Sequence, residues 1–296
     1  MGGAFDLGLE DGYRRWRVAK IARHPASVQD LVVEVADPRR LSDTERAALL
    51  QRCANTNMAI YHSPVAVPDK QIPQRLAEQL GLAQLDGNWL ADEDGISSIT
   101  VSGSGGERGA FIPYTTRAIQ WHTDGYYHPP ERCIQAMLLH CVAPAAEGGC
   151  NALMDHDMAY IAVREAEPEF VRALMAPDAM TIPARLDDDG VARAAQSGPV
   201  FSLDADRRTL HMRYTARTRS IEWKDDMVTR VAAQFLASLL GGAQPFLFRL
   251  RLEAGMGIVC NNVLHDRSAF VDDPRRPRLL YRARYRDRVG AACRTN

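Results

Sequence analysis

His122 and Asp124 stand two residues apart in the run YTTRAIQWHTDGYYHPP, residues 114–130. On a strand, residues i and i+2 face the same way, so both side chains can reach one ion. An imidazole and a carboxylate so placed supply two corners of a 2-His-1-carboxylate facial triad. That triad holds a non-haem Fe(II) on one side and leaves three positions open. The third corner must be a distant histidine brought in by the fold. His265 is the best placed, in GIVCNNVLHDR (257–267), where it follows an apolar strand and a polar turn. An HxD pair alone is common by chance. HxD on a strand, a distant histidine and an arginine-bearing strand after it make a far more specific set.

That last strand is RLLYRARYR, 278–286. Period-two alternation puts Arg278, Leu280, Arg282, Arg284 and Arg286 on one face, and Leu279, Tyr281, Ala283 and Tyr285 on the other. A face with four arginines calls for anions. Arg278 and Arg282 lie roughly 13 Å apart along a strand. Their long side chains can converge on one small dicarboxylate, and bidentate Arg–carboxylate pairs are directional and strong.

The elements that must position these residues are mostly strands. Candidates are 96–102, 117–122, 133–142, 198–203, 209–214, 245–252, 257–263 and 278–286. Residues 1–40 read as short strands, Tyr13 to Ile21 and Leu31 to Val35. Ser42 and Glu45 form a capping box for a helix running to Thr56. A second helix spans 74–80, ended by Gly81. Helical insertions fall at 155–176, broken at Pro168, and at 221–240, closed by Gly241-Gly242. Short strands separated by turn residues suggest a sandwich or barrel. No GxGxxG or Walker loop is present, so a nucleotide fold has no support.

Composition removes other classes. With 36 Lys+Arg against 37 Asp+Glu the net charge is −1, which argues against coating nucleic acid or an anionic membrane. No apolar run approaches 18 residues. The N-terminal run MGGAFDLGLEDGYRRW has no apolar h-region, and the six cysteines form no CxxC pair, so reduced thiols in a cytoplasm are expected. Only Lys20, Lys70 and Lys224 are lysines, so arginine carries nearly all the positive charge. Codon bias explains most of that skew, but guanidinium is also the better clamp for small anions.

Taken together, WHTDGYY, EGGCNAL (147–153), GIVCNNVLH and RPRLLYRARY resemble the taurine dioxygenase (TauD/TfdA-like) family of Fe(II)/2-oxoglutarate-dependent oxygenases, over residues 97–290. Position by position, the resemblance implies His122, Asp124 and His265 as iron ligands. Arg282 matches the arginine that pairs with the distal carboxylate of 2-oxoglutarate, and Arg278 the neighbouring anion-binding arginine. Gly148-Gly149 match the family's GG turn. Asn151 stands where a threonine often hydrogen-bonds 2-oxoglutarate, and Asn261 where an aspartate is usual. The cofactors implied are Fe(II), 2-oxoglutarate as co-substrate and O2, with succinate and CO2 released as a substrate C–H is oxidised. The carboxylate of Asp124 favours hydroxylation over halogenation.

The fold expected is mainly β with helical insertions, a double-stranded β-helix (jelly roll, cupin-like). It forms a single catalytic domain over 1–296, with an N-terminal elaboration over 1–95 and the jelly-roll core over 96–290. The partner is a small polar or anionic molecule, with no nucleic acid and no membrane; the resemblance allows a homo-oligomer. Tyr126 and Tyr127 are candidates to wall the substrate pocket. Arg213, Arg217 or Arg219, with Tyr214, are candidates to bind an anionic group. His140 is expected in the core, Asp155-His156-Asp157 at a helix N-terminus, and the glycine loop at 103–109 as a candidate lid. Two other readings remain: a metal-dependent hydrolase using zinc in the same triad, and a non-catalytic jelly-roll binding protein.

Overall fold

The computed structural model describes residues 3–87, 90–102, 107–187, 190–204, 208–217 and 221–290. Residues 103–106 of the glycine loop and Arg219 lie outside them. Six α-helices are present among the described residues: α1 (Glu10–Ala22), α2 (Asp43–Thr56), α3 (Gln71–Gln79), α4 (His156–Ala166), α5 (Pro168–Leu174) and α6 (Met227–Gly241). The chain packs into two compact units. One comprises Met1–His24, Gln120–Cys133 and Met154–Leu247. The other comprises Pro25–Ile119, Ile134–Leu153 and Phe248–Asn296.

The second unit is built on a six-stranded sheet in the order Val32–Glu34, Met58–His62, Met256–Cys260, Ala136–Ala143, Leu279–Tyr285, Ser97–Ile99. The first pair is parallel and the others antiparallel. Strand alternation sends side chains to two cores. Tyr61, Leu138, Val259, Tyr281, Ala283 and Tyr285 pack with Leu49 and Cys53 of α2 and Leu76 of α3. Met58, Ile60, Leu139, Ile258 and Leu280 pack on the other face against Leu153, Phe248 and Val263. Leu153 comes from the strand Asn151–Met154 and Phe248 from the strand Leu247–Leu250. Gly257 permits the close approach: a Cβ there would lie 2.3 Å from the Tyr61 ring and 2.4 Å from the Leu139 carbonyl oxygen.

The capping box at α2 forms as expected, with the Ser42 hydroxyl accepting from the Glu45 N–H. His140 is a core residue, hydrogen-bonded through Nδ1 to the Tyr61 hydroxyl at 2.8 Å. Burial pushes its pKa down to about 4.

The first unit carries α1, α4, α5 and α6. It also holds a three-stranded sheet, Gln196–Gly198, Met180–Ile182, Glu222–Trp223, and the hairpin Phe201–Leu203/Leu210–Met212. Residues 13–21 are helix, not the strand expected. The aromatic β-formers in that stretch obey a helical period instead. Tyr13, Trp16 and Lys20 fall on one face, where the Trp16 ring packs edge-on against Phe5 and Tyr160. Lys20 is buried, its Nζ 2.6 Å from both Asp155 Oδ2 and Asp157 Oδ2. Asp155 caps α4, accepting from the Asp157 N–H. That triplet therefore opens a helix, with an ammonium already at the place a cation would take. Pro168 occupies the first turn of α5, where its missing N–H costs nothing.

Candidate active site

His122 ends the strand Ile119–His122. Its segment runs antiparallel to 214–216: His122 bridges Thr215, the Thr123 N–H donates to the Tyr214 carbonyl, and the Ala216 N–H donates to the Trp121 carbonyl. Nδ1 of His122 lies 2.9 Å from the Gln120 carbonyl oxygen. A carbonyl can only accept, so Nδ1 is the donor, and in the neutral ring this leaves the lone pair on Nε2. Nε2 is 3.8 Å from Asp124 Oδ1, and the Asp124 carboxylate is buried. Gly125 follows with φ +69° and turns the chain at once, which brings Tyr126 back beside the first ligand. The Tyr126 and His122 rings meet edge-on at 6.4 Å, and the Tyr127 ring stands edge-on to Tyr126 at 5.3 Å.

In the second unit, His265 sits on the strand Leu264–Arg267 and repeats the device. Its Nδ1 lies 2.9 Å from the Val263 carbonyl oxygen, which again leaves Nε2 as the ligating atom. The turn before it is held by amides. Asn262 takes φ +51° and donates Nδ2 to the Ile134 carbonyl. Asn261 donates Nδ2 to Asn57 Oδ1 and accepts from the Val289 N–H, while Asn57 Oδ1 also accepts from Arg288. An aspartate at 261 would set a carboxylate against the Asn57 oxygen, which accounts for asparagine here.

Arg278 is buried, its guanidinium 4.9 Å from the Phe270 ring centroid. Its backbone N–H donates to Asp272. The guanidinium makes no hydrogen bond or ion pair among the described residues, and burial lowers its pKa. It borders the GG turn: a Cβ on Gly149 would lie 3.9 Å from Arg278 Nε. Gly148 and Gly149 both have positive φ, and a Cβ on Gly148 would strike the Ala269 carbonyl oxygen at 2.4 Å. Asn151 is buried and donates Nδ2 to the Asp266 carbonyl. Arg282 is half-buried on the same strand face. Arg284 is buried, and its anion comes from the chain itself: Nη2 lies 2.7 Å from Asp86 Oδ2.

Arg213 spends its guanidinium on backbone. Nε donates to the Tyr126 carbonyl at 2.7 Å, Nη1 to Met180 and Gly198, and Nη2 to Gln196. Burial pushes its pKa down to about 10. Tyr214 is 2 % exposed, and burial raises its pKa to about 12. Both are packed as structural members. Arg217 is exposed, with Nη1 3.5 Å from the Tyr126 hydroxyl. Arg193, which the sequence did not single out, lies with Cζ 5.9 Å from the Tyr127 ring centroid. Nothing in its local sequence marks it, because it reaches the tyrosine only through the hairpin Arg185–Asp187/Gly190–Arg193.

The family described as taurine catabolism dioxygenase TauD, TfdA matches residues 19–284. A uridine-5'-phosphate dioxygenase of Streptomyces sp is 30% identical over 202 residues, covering 65% of this chain and 69% of that protein. A second protein of that name, from Amycolatopsis sp, is 31% identical over 177 residues, covering 58% and 62%. Among solved structures, the non-haem iron oxygenase OrfP in complex with Fe and alpha-ketoglutaric acid shares the fold with a TM-score of 0.60 at 15% identity, over 86% of this chain and 81% of that one. The chain belongs to the TauD/TfdA family and is an Fe(II)/2-oxoglutarate-dependent dioxygenase.

Proposed function

We propose that the protein hydroxylates a small anionic molecule, with release of succinate and CO2, in a jelly-roll catalytic domain. His122, Asp124 and His265 are the iron ligands in this reading, a donor set able to hold a metal ion. Two neutral imidazoles and a carboxylate suit Fe(II), and they leave positions for a chelating co-substrate. The observation that carries the reading is the pair of Nδ1–H···O=C bonds, each fixing the tautomer a metal ligand needs. With 2-oxoglutarate and O2, the iron supplies oxidation of an unactivated C–H.

The chain's own residues do the rest. Arg278 takes the distal carboxylate of 2-oxoglutarate in preference to Arg282, because its buried guanidinium forms no ion pair among the described residues. Arg282 assists from the same face. Asn151 keeps one amide N–H for the co-substrate after bonding Asp266. Tyr126 and Tyr127 wall the substrate side. Uridine 5'-phosphate is the first substrate to try, since two relatives carry that name and its phosphate is the kind of group arginine clamps best.

The test is anaerobic Fe(II) plus 2-oxoglutarate, watched for the weak visible charge-transfer band. The band is expected in the native protein and lost in His122→Ala. Its absence from the native protein would sink the assignment. Succinate release stimulated by uridine 5'-phosphate would then support the substrate class.

A further inference from the structure

We propose that Arg217 and Arg193, set on the aromatic pair Tyr126–Tyr127, bind a phosphomonoester on the substrate, and that Arg213 is the positioning residue that holds this wall in place. The proposal rests on the reading that the substrate is anionic, and it goes further by naming the group and its partners.

All the parts lie within one unit. Tyr126 stands edge-on to the ligand His122, so whatever contacts its face or hydroxyl is within one small molecule of the metal ligands. Arg217 reaches the Tyr126 hydroxyl at 3.5 Å, the long limit of a hydrogen bond. That contact holds the guanidinium loosely. Among the described residues its side chain meets no carboxylate. Arg193 donates to the Pro183 and Ala194 carbonyls and lies near the Tyr127 ring, again with no carboxylate among the described residues. Two cations that meet no carboxylate among the described residues, beside two aromatic rings and the candidate ligand His122, suit an anion that arrives from solution. A phosphomonoester carries close to two negative charges at neutral pH and three acceptor oxygens, and arginine's fork matches it. Tyr126 can donate its hydroxyl to the same group.

Arg213 is excluded from that role by its geometry. Its donors point at four carbonyls, those of Tyr126, Met180, Gly198 and Gln196. It therefore ties the turn after Asp124 to the strands Met180–Ile182 and Gln196–Gly198. A contact to Tyr126 O fixes where the wall stands relative to the ligands.

The experiment is calorimetric binding of uridine 5'-phosphate and of uridine to the full chain loaded anaerobically with Fe(II) and 2-oxoglutarate, with inorganic phosphate as competitor. The native protein is expected to favour the phosphorylated ligand by at least tenfold. Arg217→Ala, an exposed position, should bring that ratio near one, and Arg217→Lys should restore part of it. Arg213→Met should weaken both ligands alike. A native protein that binds the two equally, or binds neither, overturns the subsite. A ratio unchanged in Arg217→Ala overturns the residue assignment. Because binding is read and not turnover, a missing charge-transfer band would end the oxygenase reading while the phosphate preference is still decided on the metal-free chain.

Discussion

The two arginine-rich stretches of the molecule, 208–217 in one unit and 278–286 in the other, handle buried positive charge in different ways. Arg213 is satisfied by four backbone carbonyls, and Arg267, near the last strand, by those of Pro113, Thr115 and Arg117. Arg284 is satisfied by one carboxylate. The Arg278 guanidinium lies on the face of Phe270 and forms no hydrogen bond or ion pair among the described residues. A buried cation whose charge is met inside the chain is a structural member. One whose charge is left open is costly to the folded protein unless a ligand meets it. The difference separates arginines that a sequence pattern treats as equal.

Three measurements can break or sharpen that contrast. The largest effect is expected at Arg284→Met, which leaves the Asp86 carboxylate buried without its cation. A loss of about 3–5 kcal/mol in denaturant unfolding is expected, and a loss under 1 kcal/mol would show that water reaches the pair. Next is the pH dependence from His140. The folded state holds this imidazole neutral down to about 4, whereas the unfolded chain takes up a proton near 6.5. Its contribution is therefore complete above pH 6.5 and falls as pH drops, by on the order of 3 kcal/mol at pH 4. His140→Phe should flatten that slope, and an unchanged slope would place the titration elsewhere. The smallest effect on stability belongs to Arg278→Met. Unfolding free energy should stay level or rise, while 2-oxoglutarate affinity falls by about 10–100-fold, the weight of a lost charge-assisted pair. Destabilisation with unchanged affinity would class Arg278 with Arg284.

Much of this was legible in residue order. The HxD pair, the distant histidine and the period-two alternation of 278–286 are local patterns, and the strands at Ile119–His122, Leu264–Arg267 and Leu279–Tyr285 carry them. The break at Pro168 and the Ser42 cap are also written in the chain. The helix at Glu10–Ala22 was hidden because Tyr13, Trp16 and Ile21 favour strands, and only the distant partners Tyr160 and Asp155 reveal which period matters. The division of labour among arginines was hidden for a related reason. Which carbonyls surround Arg213, or that Asp86 would meet Arg284 from 198 positions away, is fixed by tertiary packing. Within the strand Leu279–Tyr285, alternation set Arg282 and Arg284 on one face but could not say which had already found an anion.

The carbonyl bonds of His122 and His265 bear on how the protein could gain and lose metal. Each imidazole is held in one tautomer by an oxygen two residues upstream, a contact closed within its own short stretch of backbone. Neither ring has to give up rotational freedom when a cation arrives. Stripping the ion with a chelator would leave both rings aimed. Reloading then becomes a matter of diffusion and water exchange at the ion, separate from refolding. Apo and loaded protein are expected to interconvert quickly, with little change in their circular dichroism.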